Sequence, residues 1–106
     1  MEYLFSYGTL QKVDVQMQLF GRKPDGTPDV MKGYSVRPMD LGSEVHKLAV
    51  KDENSEIHGT RLELTAEEIA ICDKYEPEEY QRINAVLVSG NAAWVYAAAE
   101  GIYDRT

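Results

Sequence analysis

The chain has 106 residues, with 18 Asp and Glu against 11 Lys and Arg and a formal charge of −7. That length supports one hydrophobic core and a single domain over residues 1–106, and the near-average shares of 43% apolar and 27% charged residues exclude a disordered or fibrous chain. The acidic balance opposes a phosphate backbone, the lone Cys72 cannot close an intramolecular disulfide, Met1-Glu2-Tyr3-Leu4 lacks a secretory pattern, and no apolar run nears the ~20 residues that span a bilayer. A cytoplasmic protein is expected, with no nucleic acid or membrane as partner.

In chain order, Tyr3 to Tyr7 is apolar on both faces apart from Ser6, the pattern of a covered central strand, and Gly8 ends it. From Leu10 onward, Val13, Met17 and Phe20 recur at helical spacing as far as Gly21, a suitable left-handed terminator. Arg22 to Gly33 holds Pro24, Gly26 and Pro28 and reads as a long connection, followed by a short strand, Tyr34 to Arg37, stopped by Pro38. His46, Leu48 and Val50 alternate with Lys47 and Ala49; Lys51 to Ser55 reads as a charged turn; His58, Thr60, Leu62 and Leu64 then share one strand face, which predicts a hairpin.

Thr65-Ala66-Glu67-Glu68 fits a capping box and starts a helix with Ile69, Cys72 and Tyr75 along one side, ended by Pro77. Tyr80 to Val88 and Ala93 to Ala98 flank a tight Gly90-Asn91 turn, which predicts Leu87 opposite Trp94 and Ala85 opposite Tyr96. Both faces of that hairpin are apolar. The expected fold is therefore α+β, a closed or strongly curled sheet with helices outside.

Two segments offer chemistry. Tyr7-Gly8-Thr9-Leu10 joins a strand end to a helix start, where unpaired N–H groups can face an anion or a polarised carbonyl and glycine lets a ligand approach the backbone. The same string also serves as an ordinary capped turn. Glu76-Pro77-Glu78-Glu79 lies at a helix C-terminus, where the helix dipole disfavours negative charge. One reading is solvated surface; the other has Tyr75 and Tyr80 walling in one carboxylate, which raises its pKa and strengthens it as a proton acceptor. His46 and His58 sit within strand patterns without partners at ligand spacing, so no metal is expected; Cys72 reads as a small buried hydrophobe, and Trp94 and Tyr96 as core.

The strand ending in Tyr7-Gly8-Thr9-Leu10, the later Asp73-Lys74-Tyr75-Glu76 and then Tyr80-Gln81-Arg82 resemble, in order and separation, the gamma-glutamylcyclotransferase family. Gly33-Tyr34 and His58-Gly59-Thr60 look like its middle strands, and Trp94-Val95-Tyr96 like its closing strands. The resemblance implies a small mixed β-barrel flanked by short helices. It also implies an intramolecular attack by the substrate's α-amine on its own γ-amide carbonyl, giving 5-oxoproline and a free amine or amino acid, with no cofactor. Carried onto this chain, it implies that Tyr7, Gly8, Thr9 and Leu10 hold the gamma-glutamyl part of a small-molecule substrate and that Glu76 is the catalytic carboxylate.

Tyr80 and Arg82 are further candidates for substrate contact, Arg82 either through a substrate carboxylate or as an ion-pair partner of nearby acids. The leaving group would meet Arg22 to Gly33 and Gly42 to Val45. Two alternatives keep the same fold: a binding module without turnover, and an interaction domain in which apolar surface between Met31 and Met39 pairs two copies as a homodimer.

Overall fold

The first strand, β1 (Glu2–Ser6), explains the architecture. Leu4 and Phe5 point to opposite faces and are 0% and 1% exposed, so both faces of the sheet must be covered. In the computed structural model, which describes residues 1–41 and 44–99, five strands line up as β2 (Gly26–Leu41), β3 (Glu44–Leu64), β1, β5 (Ala92–Ala98) and β4 (Tyr80–Val86). β1 is the central strand, antiparallel to β3 and parallel to β5.

Leu4 packs with Leu10, Leu62, Leu64, Ile69 and Cys72 beneath the helices α1 (Val13–Phe20) and α2 (Ala66–Tyr75). Phe5 packs on the other face with Met31, Ala49, Ile57 and Val95 from the sheet itself and Leu87 from the turn after β4. Each fully buried side chain of this size contributes roughly 2 kcal/mol of apolar burial.

The domain is α+β with a mixed sheet and two helices, but the sheet is not a closed barrel. Its two edges meet at one place, where Val88 N–H donates to Val30 O at 2.9 Å and Ser89 Oγ donates to the Asp29 carboxylate. Val86 and Val88 stay 71% and 57% exposed, so the apolar outer face that suggested closure is partly bare. The same capture changes the register of the last hairpin. Ala85 pairs with Ala93, Asn84 with Trp94 and Arg82 with Tyr96, three positions from the tight-turn register. Val88 and Ser89 are used on β2, so the turn needs the whole of Leu87 to Asn91, closed by Leu87 N–H to Asn91 O at 2.8 Å and by Gly90 at φ +91.

The middle of the chain also departs from its expected reading. β2 takes in most of the supposed connection and continues through Pro38, which an edge strand accommodates because one side of it needs no N–H donor. Residues 46–50 and 56–64 do not pair with each other; both belong to β3 and pair with β2, and residues 42–43 lie outside the described residues. Lys51 to Ser55 bulges within β3 instead of reversing it. The register passes from Lys32 opposite Glu56 to Tyr34 opposite Lys51, and Asp52 closes the bulge by accepting from Ser55 Oγ at 2.8 Å. Met31 is 1% exposed and belongs to the core, which removes it from the expected pairing surface.

Local signals hold at the helices. Thr65 Oγ1 accepts from Glu68 N–H while Glu68 Oε1 accepts from Thr65 N–H, completing the capping box, and Arg22 grips both Glu68 oxygens at 2.6 and 2.8 Å. α1 ends at Gly21 with φ +69 but starts later than its spacing suggested, after a 3-10 turn over Thr9–Gln11. α2 stops at Glu76, whose backbone is extended ahead of Pro77. Among the described residues no helix is long and apolar enough to cross a membrane.

Candidate active site

β3 crosses β1 closely just below the Tyr7-to-Leu10 loop. A Cβ on Gly59 would lie 2.4 Å from Ser6 O and 2.9 Å from Phe5 Cζ, so only glycine fits there. The chain emerging from β1 then enters the 3-10 turn. Gln11 N–H returns to Gly8 O at 3.2 Å and Lys12 N–H to Thr9 O at 3.0 Å, so the N–H groups of Thr9 and Leu10 precede the first bonded one. The loop carbonyls are tied from behind as well, by Gln11 Nε2 to Gly8 O at 3.3 Å and by Gln16 Nε2 to Leu10 O at 2.8 Å.

This loop forms one wall of a cavity of about 790 Å3. The opposite wall is the α2–β4 connection, with Tyr75, Glu76, Pro77 and Tyr80; β3 adds His46 and Lys47, and β5 adds Tyr96. The two motifs, 66 residues apart in the chain, touch directly where Thr9 Oγ1 and Tyr75 OH share a hydrogen bond of 2.9 Å.

Glu76 is half-buried in this cavity, and among the described residues no donor bonds its carboxylate. Burial alone pushes its carboxyl pKa up to about 7. A carboxyl titrating there exchanges protons in both directions at neutral pH. Tyr7 contributes its ring as wall, but its hydroxyl is committed: it donates to Tyr96 O and accepts from Ala49 N–H at 2.9 Å. Burial holds that phenol far above its ordinary pKa, so it stays protonated.

The other expected residues divide. Tyr80 lines the cavity and donates its hydroxyl to Lys47 O at 2.6 Å. Arg82 does not line it: its Nε sits 3.1 Å from Asp73 Oδ1 and its guanidinium lies 4.2 Å over the Trp94 ring. Glu78 is exposed and Glu79 half-buried, and neither lines the cavity. Nor does Arg22 to Gly33, where the leaving group was expected; of the other expected segment, Gly42 and Ser43 lie outside the described residues.

His46, Lys47 and Tyr96 reach the cavity from strands that sequence reasoning treated as framework, while Gln11 and Lys12 follow the loop directly. Lys12 and Lys47 make this wall locally basic in a chain of net charge −7. Among the described residues no three His, Cys, Asp or Glu side chains gather as a metal site.

Residues 4–105 match the family described as gamma-glutamyl cyclotransferase, AIG2-like. AIG2-like protein C of Arabidopsis thaliana is 31% identical over 80 residues, which cover 74% of this chain and 45% of that protein; the chain thus spans less than half the length of this curated relative. Two Arabidopsis thaliana solution structures superpose with TM-scores of 0.80. One, at 25% identity, covers 93% of this chain and 69% of its own, and the other, at 18%, covers 98% and 66%. The crystal structure of an uncharacterized Pyrococcus horikoshii protein superposes at 0.68 with 20% identity, over 92% of this chain and 78% of its own.

Proposed function

Because the chain belongs to the gamma-glutamyl cyclotransferase, AIG2-like family, we propose that it cyclises the gamma-glutamyl group of a small substrate to 5-oxoproline and releases the free amine or amino acid. The observation that carries this reading is a half-buried carboxyl, Glu76, without a bonded donor among the described residues and with its pKa pushed by burial to about 7, in the same cavity as the Tyr7-to-Leu10 loop. Ring closure already holds nucleophile and carbonyl in one molecule, so the protein has to fold the substrate and move protons.

Glu76 takes one proton from the substrate's α-ammonium group. The freed nitrogen adds to the γ-carbonyl carbon, and a new C–N bond forms. Glu76 then returns its proton to the amide nitrogen as the old C–N bond breaks. Of the three ammonium hydrogens, the ring nitrogen keeps one, Glu76 relays one to the leaving nitrogen, and the third passes from the ring nitrogen to solvent, from which the released amine takes up a proton as ammonium. Backbone N–H groups of Thr9 and Leu10 face the carbonyl oxygen as negative charge builds on it. Lys12 and Lys47 supply the cations that attract a substrate carboxylate.

The test is incubation with a panel of gamma-glutamyl amino acids and gamma-glutamyl amines, followed by chromatographic detection of 5-oxoproline. Release from at least one class is expected. Saturable binding without product across the panel would instead make this a binding module of the same fold.

A further inference from the structure

Two motif residues, Asp73 and Arg82, stand outside the cavity, and Tyr96 touches it while aiming its hydroxyl elsewhere. Their contacts converge. Tyr96 OH donates its one proton to Asp73 Oδ1 at 2.7 Å, which ties it to the last turn of α2, and it lies 3.4 Å from Ile69 O. The carbonyl of the same Tyr96 accepts from Tyr7 OH, at the root of the substrate loop. Arg82, the cross-strand neighbour of Tyr96, reaches the same Asp73 oxygen at 3.1 Å, backed by Trp94, whose Nε1 donates to Glu2 at 2.8 Å.

We propose that Tyr96, acting with Asp73 and Arg82, is the positioning device that sets the spacing between Glu76 and the Tyr7-to-Leu10 loop. Tyr96 bonds both halves of the site, one through its side chain and the other through its backbone, and does so from the buried side, whereas the direct Thr9–Tyr75 bond between them is exposed. Asp73 lies three residues before Glu76, in the last turn of α2, where the chain leaves the helix ahead of Pro77. Where that turn sits decides whether the Glu76 carboxyl hangs in the cavity or swings into water. The apolar anchors Ile69 and Cys72 bury one side of the helix, and Asp73 adds a directional polar bond in its last turn. Burial first, and the Asp73 bond second, hold the Tyr96 phenol far above its ordinary pKa, so it remains a donor at every working pH.

The inference rests on Glu76 as the proton carrier, and its test separates the two ideas. Tyr96→Phe removes one hydroxyl while keeping the ring and the carbonyl that receives Tyr7. The expected result is a kcat lowered roughly tenfold to a hundredfold with KM within about twofold. In the same variant the Glu76 carboxyl, followed by NMR, should titrate well below its value near 7 and towards the ordinary 4.5. Tyr7, Lys12, His46, Lys47, Tyr75 and Tyr80 line the cavity with Glu76, and Cys72 lies behind it; the change deletes none of these groups, and the carboxylate that loses a donor is Asp73.

Arg82→Gln should move both readouts in the same direction by less, and it decides the matter if Tyr96→Phe does not fold. A purely structural bond would lower Tm and leave the Glu76 midpoint and the kcat of folded protein unchanged; that result overturns the proposal. If the wild-type chain releases no 5-oxoproline from any substrate, the catalytic reading fails while the carboxyl titration still decides the positioning.

Discussion

Asp29 and Glu76 are both carboxylates drawn out of water, and they come to opposite ends of the titration scale. The Asp29 side chain is 3% exposed. Burial works to raise its pKa, but Ser89 Oγ, the N–H groups of Val30 and Ser89, and Arg61 Nε at 3.1 Å all donate to it and hold it below the usual carboxylate range. Among the described residues Glu76 has no such donors, and burial takes it up to about 7. Donors, more than depth, decide which way a buried carboxyl moves. The bonded one fastens the two sheet edges together; the unbonded one is the carboxyl we propose for proton transfer.

The comparison can be broken at either end. Glu76→Gln should keep the fold by circular dichroism and lose 5-oxoproline turnover by a factor of about 10² or more. Asp29→Ala should do the reverse. It strands Arg61, whose side chain is only 14% exposed, and should cost about 3 kcal/mol in denaturant unfolding while turnover per folded molecule stays constant.

Stability should also depend on pH in opposite senses at the two carboxyls. The folded pKa of Glu76 lies above its unfolded value, so its contribution is complete below about pH 4.5 and is lost as pH rises through about 7. The folded pKa of Asp29 lies below its unfolded value of 3.8, so its contribution is present above that pH and is lost on further acidification. Glu76→Gln should therefore unfold about 2 kcal/mol less readily than wild type at pH 8, with no such gain at pH 4.5, by denaturant titration at both. The smallest expected effect is Tyr75→Phe, which cuts the exposed Thr9 contact between the two walls and should raise KM about twofold to threefold with kcat little changed.

Local chemistry was legible in the sequence and distant capture was not. The capping box at Thr65, the Gly21 terminator and the Pro77 stop each depend on a few adjacent residues, and all three hold. The last hairpin was misread because its register is set by Val30 and Asp29, some sixty residues earlier, which take Val88 and Ser89 out of the turn. The apolar faces of β4 suggested a closed barrel, yet Val86 is left largely bare. Lys51 to Ser55 carries turn residues and does bulge, but the bulge sits inside one long strand because residues on both sides pair with β2.

At the site, Tyr75 and Tyr80 beside Glu76 were enough to suggest a walled carboxyl, and the resemblance singled out which of three glutamates it was. His46 and Lys47 carried no signal of their own, since only the pairing of β3 and the Tyr80 hydroxyl bring them to the cavity. Tyr96 was legible as core but not as the residue that bonds to both walls.

The most direct test of the central claim is to titrate the Glu76 side-chain carboxyl by NMR and to record the pH dependence of 5-oxoproline release on the same protein. The account predicts a carboxyl midpoint near 7 and a kcat/KM that rises with pH through that same midpoint as the base form appears. A carboxyl midpoint at the ordinary 4.5, or a turnover that does not change across pH 7, would contradict it.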